Sequence, residues 1–265
     1  MPIAELTNAT IYYERSGSGP PLIFAHGAGG NHRSWWQQIP HFESSFDCVA
    51  FDHPGFAQSR WSDSVSDGAI YGDVLIELLD NLQFDTVTII AQSMGGWTAM
   101  GVHSRQPHRI NALVFASTAG GVTAPEILEA RANNASLLQR QRDRFAADPE
   151  HAFNPALGER AHGENPKLHT LYGEIANDNP AGAASDRSRW SEFEPAIAES
   201  ISVPTLLVNG DEDNIAPYAS IKKLADLIPN SRLEVIKQSG HSGYFERPDQ
   251  FNDLVSSFLS ESALS

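Results

Sequence analysis

Seven short apolar runs set the strongest limit on what this chain can fold into. Residues 10–14, 22–25, 48–51, 86–91, 112–116, 205–208 and 233–236 read as strands. Most are rich in Val, Ile and Leu and lack strict polar alternation, which suits a parallel sheet covered on both faces. Helical stretches lie between them. Across 67–82 the apolar residues recur with a 3.6-residue rhythm. Tyr218, Ile221, Leu224 and Ile228 form a second such face. Pro248 opens a last helix that turns Phe251, Val255, Phe258 and Leu259 inward. Strands alternating with helices predict a doubly wound α/β architecture with a mostly parallel sheet.

One segment breaks this alternation. From 121 to 200 no convincing strand occurs, 125–145 is helical in character, and prolines punctuate the rest. Phe153, Leu157, Leu171, Tyr172, Trp190 and Phe193 give this stretch apolar material to pack. It reads as a mostly helical cap inserted in a core formed by 1–120 and 201–265. A chain of 265 residues accommodates one such domain.

Composition removes several function classes. A net charge of −15 repels nucleic acid and anionic lipid, so neither is an expected partner. The single cysteine, Cys48, excludes an intrachain disulfide and sits in an apolar run as an inert core thiol. The first residues carry no basic and apolar leader pattern, and no run approaches the roughly 18 apolar residues of a membrane span. A cytoplasmic location is therefore expected. No His-Glu-x-x-His or Cys-x-x-Cys pattern signals a metal, and no glycine fingerprint after a strand signals a dinucleotide. No cofactor is expected.

The chemistry begins where 86–91 runs straight into Gln92-Ser93-Met94-Gly95-Gly96, after which Trp97 continues a helix. A serine on so sharp a strand-to-helix turn stands out above the carboxyl edge of the sheet. Ser66-Asp67-Gly68 has the same Ser-x-Gly spacing, but no strand precedes it. Acyl transfer also needs two backbone N–H groups aimed at one oxygen. Met94, after the serine, is one expected donor. The other is expected from His26-Gly27-Ala28-Gly29-Gly30, which follows residues 22–25, at Ala28. His26 is expected to brace that loop. A serine hydroxyl needs a base, and His241, between the last strand and the last helix, shares Ser93's edge of the sheet. An acid must orient that imidazole, and Asp211, Glu212 and Asp213 all follow 205–208. Asp52 ends a strand and is expected to hold the turn after it, while Asp73 and Asp80 lie on a solvated helix face.

Five motifs in this order resemble the α/β-hydrolase superfamily, in its small esterase, lactonase and C–C hydrolase branch. They are His26-Gly27, the turn Asp52-His53-Pro54-Gly55-Phe56-Ala57-Gln58-Ser59, the elbow Ser93-Met94-Gly95-Gly96, the loop from Gly210 to Pro217, and Gly240-His241. Ala91 and Ala57 stand where the family usually has glycine. The resemblance implies Asp213 as the triad acid, with Asp211 and Glu212 as alternatives. It also implies a serine mechanism, since the fold's dehalogenases and epoxide hydrolases carry aspartate at the elbow.

The resulting expectation is a serine hydrolase with Ser93, His241 and Asp213 as triad and Ala28 and Met94 as oxyanion donors. Gly27, Trp35, Trp36 and Tyr244 are expected near the substrate, a small or medium uncharged ester, lactone, thioester or diketone. Two alternatives stay open: C–C bond hydrolysis of ring-cleavage diketones, and a slow-turnover ligand receptor on the same fold. The expected partner is a small-molecule substrate.

Overall fold

A computed structural model describes residues 2–148 and 152–262. The strands are β1 (Ile3–Glu5), β2 (Ala9–Gly17), β3 (Pro21–Ala25), β4 (Asp47–Phe51), β5 (Arg60–Trp61), β6 (Val87–Gln92), β7 (Ile110–Ala116), β8 (Thr205–Gly210) and β9 (Ser231–Ile236). The helices are α1 (Ile39–Phe42), α2 (Tyr71–Asn81), α3 (Gly95–Arg105), α4 (Pro125–Ala147), α5 (Glu159–Glu164), α6 (Pro166–Asn177), α7 (Pro195–Glu199), α8 (Tyr218–Leu227), α9 (Gly243–Glu246) and α10 (Pro248–Ser262).

The strands form one sheet in the order β1-β2-β4-β3-β6-β7-β8-β9, with β5 paired to β2. From β4 to β9 all pairings are parallel, and only β2 pairs antiparallel with its neighbours. The chain moves outward from β3 to β4, then crosses back to β6 and proceeds the other way. The crevice at the carboxyl ends of β3 and β6 is therefore the topological switch point, where open α/β sheets hold their ligands.

Successive residues on each buried strand serve opposite faces. Ile23 and Ala25 pack with Leu75 and Leu79 of α2 and Met100 of α3. Leu22 and Phe24 pack with Phe251 and Val255 of α10. Two apolar layers thus enclose the sheet, which is why its strands lack polar alternation. The helix read over 67–82 begins only at Tyr71. Gly68 takes φ +75°, and Asp73 Oδ2 accepts the Ile70 N–H at 3.0 Å, which caps the helix there.

Between β7 and β8 the described residues hold helices α4 to α7 and one isolated bridge, Val122 to Phe193. Residues 149–151 of this segment lie outside the described residues. The segment sits on the carboxyl edge of the sheet. Asn31 Nδ2 donates to Ile175 O at 2.9 Å, Asn179 Oδ1 accepts the Ala57 N–H at 3.2 Å, and Ser242 Oγ donates to Tyr172 Oη at 3.1 Å. Both ends of the segment also reach the apolar layer of α2 and α3, through Val122, Ala124 and Ile127 at its start and Phe193 and Ala198 at its end. Among the described residues no helix is long and apolar enough to cross a membrane.

Candidate active site

Ser93 adopts φ +48°, a left-handed conformation that L-residues with a Cβ avoid. Two neighbours hold it there. Its N–H donates to Ala116 O of β7 at 3.0 Å, and α3 begins directly beyond Met94. A Cβ on Gly95 would overlap the carbonyl oxygen of Ala25, and one on Gly96 would overlap Thr118. The two glycines therefore let α3 close on β3 and β7, and that closeness lifts Ser93 from the sheet edge. Strain at a turn whose neighbours over-determine it is a usual mark of a functional residue.

The hydroxyl is part of a continuous chain. Ser93 Oγ lies 2.8 Å from His241 Nε2, and His241 Nδ1 lies 2.9 Å from Asp213 Oδ2 and 3.1 Å from Oδ1. Asp213 is fixed from every side. Its Oδ1 accepts the N–H groups of Ile215 at 2.9 Å and Ala216 at 2.8 Å, and its Oδ2 accepts Asn209 Nδ2 at 3.1 Å. Acceptors facing Nδ1 keep the proton on that nitrogen and leave Nε2 free to accept from Ser93. The carbonyl of His241 is held at 3.1 Å by Gln92 Nε2, from the residue before the serine. Ser93, Asp213 and His241, in that chain order, therefore lie within hydrogen-bond reach of one another, the arrangement a serine nucleophile with a base and an orienting acid would need.

The α/β-hydrolase fold family model matches residues 20–248. The chain belongs to this family. It is 31% identical over 261 residues to 2-hydroxymuconate semialdehyde hydrolase of a Pseudomonas species, covering 93% of this chain and 89% of that one. It is 30% identical over 247 residues to 3-oxoadipate enol-lactonase 2 of Acinetobacter baylyi, covering 91% and 88%. A thermophilic esterase from Thermogutta terrifontis superposes with a TM-score of 0.81 at 22% identity over 99% of both chains, a likeness of fold.

In this α/β hydrolase the loop after β3 lies against the elbow. A Cβ on Gly27 would overlap Gln92 Oε1 and stand 3.0 Å from Ser93 Cβ. The N–H groups of Ala28 and Met94 donate to no described group. Met94 is buried, and Ala28 packs on the Phe56–Tyr71–Met94 cluster. His26 braces this loop as a neutral ring. Its Nε2 accepts the His53 N–H at 3.0 Å, and its Nδ1 faces Gly27 O at 2.8 Å. Burial lowers its pKa to about 4. His53 continues the brace to Thr98 Oγ1 at 2.7 Å. Asp52 accepts His32 Nδ1 at 2.8 Å and the Gln58 N–H at 3.2 Å, pinning the turn in which Ala57 takes φ +39°. That angle explains the family's glycine there.

The other two acids beside Asp213 have different work. Asp211 Oδ1 accepts the Gln238 N–H at 2.7 Å, and Glu212 pairs with Arg160 of α5.

Three aromatic expectations need correction. Trp35 is 0% exposed, its ring centred 4.5 Å from Tyr244 and 5.2 Å from Phe24, so no surface remains for a substrate. Tyr244 is buried against Phe251. Trp36 is 49% exposed and lines an outer groove with His32, Ile39 and Leu171. The short helix α9 turns Tyr244 and Phe245 into the core, and the 3₁₀ turn His32–Trp35 does the same for Trp35. Trp190, like Trp61 and Ala28, packs on the cluster of Phe56, Tyr71 and Met94. A groove of about 780 Å³ lies at the opposite, amino edge of the sheet, lined by Pro20, Thr88, Ala112 and Pro204.

Glu246 and Asn209 are further residues of the site that sequence reasoning did not find. Glu246 is buried, and its carboxylate accepts the N–H groups of Gly240 and Gly158, each at 2.9 Å. It ties the loop of His241 to the segment above it. Burial raises its pKa to about 7 against those two bonds. An acid directly after Tyr244-Phe245 was the available signal. Asn209 offered none.

Proposed function

We propose that this chain is a serine hydrolase that cleaves a small-molecule ester, lactone or related carbonyl compound. The hydrogen-bonded line from Ser93 Oγ through His241 to Asp213 carries the proposal. Ser93 Oγ attacks the carbonyl carbon while His241 Nε2 takes its proton. The N–H groups of Met94 and Ala28, which have no described acceptor, stabilise the oxyanion. His241 then gives its proton to the leaving oxygen. An acyl-enzyme forms, and water, deprotonated by His241, releases the acid. Residues 121–200 act as a cap that closes the site and sets substrate size, with Trp190 packed on the cluster that contains Met94.

The test is turnover by wild type and Ser93→Ala on aryl esters, lactones and vinylogous diketones. Wild type should hydrolyse at least one class, and the variant should be slower by roughly 10⁴- to 10⁶-fold. Undiminished hydrolysis by the variant would rule the mechanism out. The relative named as a semialdehyde hydrolase favours a second reading, C–C bond cleavage of a ring-cleavage diketone. Turnover of diketones without turnover of aryl esters would select it.

A further inference from the structure

The segment between β7 and β8 meets the loop after β3 at the carboxyl end of α6. Pro180 has no backbone N–H to donate and disfavours helical backbone at the residue before it, so α6 ends at Asn177. Asn179 stands just past that end. Four contacts join this part of α6 to residues 29–33. Asn31 Nδ2 donates to Ile175 O at 2.9 Å, and Arg33 pairs with Asp178. A Cβ on Gly29 would stand 3.1 Å from Tyr172 Oη. The fourth contact is Asn179 Nδ2, which donates to Gly30 O at 3.2 Å.

Asn179 differs from the other three in reaching two loops at once. Its Oδ1 accepts the Ala57 N–H at 3.2 Å, from the turn after β4. These partners fix the orientation of the amide, because a carbonyl only accepts and a backbone N–H only donates. They also fix the residue type. Aspartate, of the same size, brings no donor for Gly30 O, and leucine brings neither group. Ala57 takes φ +39°, a conformation that persists only where its surroundings hold it, and the Asn179 carboxamide is one of the groups that does so.

The bridged loop carries the expected oxyanion donor. Residues 27–30 form a tight turn closed by the Gly30 N–H on Gly27 O at 3.0 Å, with Ala28 as its second residue. On one side Gly27 abuts Gln92 and Ser93. On the other, Tyr172 backs Gly29 and Asn179 holds Gly30 O. Ala28 therefore lies between a contact to the elbow and contacts to the end of α6. The same helix reaches the loop of His241, since Ser242 Oγ donates to Tyr172 Oη at 3.1 Å.

We propose that Asn179 is a positioning residue for the reaction at Ser93: its carboxamide ties Gly30 O to the Ala57 N–H and so holds the Ala28 N–H on the substrate oxygen. The segment over the sheet edge then does more than cover the site, because one of its side chains sets the geometry of an oxyanion donor. Asn179 touches no reacting atom, and its effect passes through the loop. The catalytic half of the proposal rests on the serine-hydrolase reading, and the bracing of the loop does not.

Two substitutions separate the bonds. Asn179→Asp keeps the acceptor for Ala57 and loses the donor to Gly30, while Asn179→Leu loses both without adding charge. Arg33→Ala, which removes the exposed ion pair to Asp178, is the control. Hydrogen–deuterium exchange of peptides spanning 26–31 reads the loop, and kcat, KM and the pH–rate profile on an aryl ester read the reaction. In both Asn179 variants the loop amides should exchange at least about tenfold faster. Their kcat should fall about 10- to 100-fold, with KM within about twofold of wild type. The pH midpoint should stay in place, because His241 and Asp213 keep their partners. Arg33→Ala should match wild type throughout, and if one Asn179 variant does not fold the other carries the test. Unchanged exchange in the Asn179 variants overturns the bracing, even where kcat falls. Faster exchange with unchanged kcat overturns the catalytic role. Ser93→Ala is measured alongside: full turnover by it, or none by wild type, counts against the hydrolase reading alone, and exchange still decides the bracing.

Discussion

Asp213 meets His241 Nδ1 more closely through Oδ2, at 2.9 Å, than through Oδ1, at 3.1 Å, and Oδ1 is the oxygen held by the amides of Ile215 and Ala216. This division of labour makes a definite prediction for Asp213→Asn. The amide oxygen would stay with the two N–H donors, so the amide nitrogen would face His241 Nδ1 and Asn209 Nδ2. It would donate to Nδ1 and force the proton onto Nε2, where it blocks acceptance from Ser93. We expect kcat to fall by roughly 10⁴-fold with little change in melting temperature. Steady-state kinetics beside thermal unfolding checks this, and near-native turnover would contradict it.

Much of the fold and of the Ser93 neighbourhood was legible because both rest on periodicity and turn chemistry. The buried strands had to read as apolar runs, and the elbow had to carry small residues where α3 meets Ala25 and Thr118. The parts that escaped depend on distant packing. Strands β1 and β5 have three and two residues and sit on the periphery of the sheet, with too few positions for a pattern. Trp35 and Tyr244 are near Ser93 in the motif map, yet a loop's sequence does not tell which side of it a ring will take. Asn179 lies 149 residues from Gly30 and 122 from Ala57, and only the folded segment brings the three together.

Those aromatic residues give a second prediction. Trp35→Ala removes a fully buried side chain and should cost about 3–5 kcal/mol. Trp36→Ala, at a half-exposed site, should change stability by less than about 0.5 kcal/mol. Neither should shift KM for a substrate at Ser93. Urea unfolding and Michaelis kinetics of both variants check the assignment, and a KM change in Trp36→Ala would return it to the pocket.

Gly95 provides a third. A Cβ there meets the backbone of Ala25, and neither element can yield without moving the elbow. Gly95→Ala should cost about 1–3 kcal/mol and lower kcat by displacing Ser93 from His241. Equal stability and activity in the variant would show that α3 does not set the elbow.

Glu246 titrates in a way that stability measurements can isolate. Its folded pKa is about 7, above the ordinary carboxyl value, because burial disfavours the ionised form. The folded state therefore holds a proton that the unfolded chain has already released between about pH 4.5 and 7. The associated stability is full below that window and is lost as pH rises through 7. Glu246→Gln cannot titrate, so wild type should lose ground to it between pH 5 and 7 by a few kcal/mol at most, then stay level. Urea midpoints of both proteins across pH 5 to 8 measure the difference. A gap that stays constant, or moves towards wild type with rising pH, contradicts the assignment.

The central claim is that Ser93 is the nucleophile, activated by His241, and its most direct test is covalent. Wild type, Ser93→Ala and His241→Ala are treated with a fluorophosphonate, and intact mass and peptide mapping locate the adduct. The account predicts one adduct per wild-type chain on Ser93, none on Ser93→Ala, and labelling of His241→Ala slower by several powers of ten. An adduct on another residue, or equal labelling of wild type and His241→Ala, would contradict it.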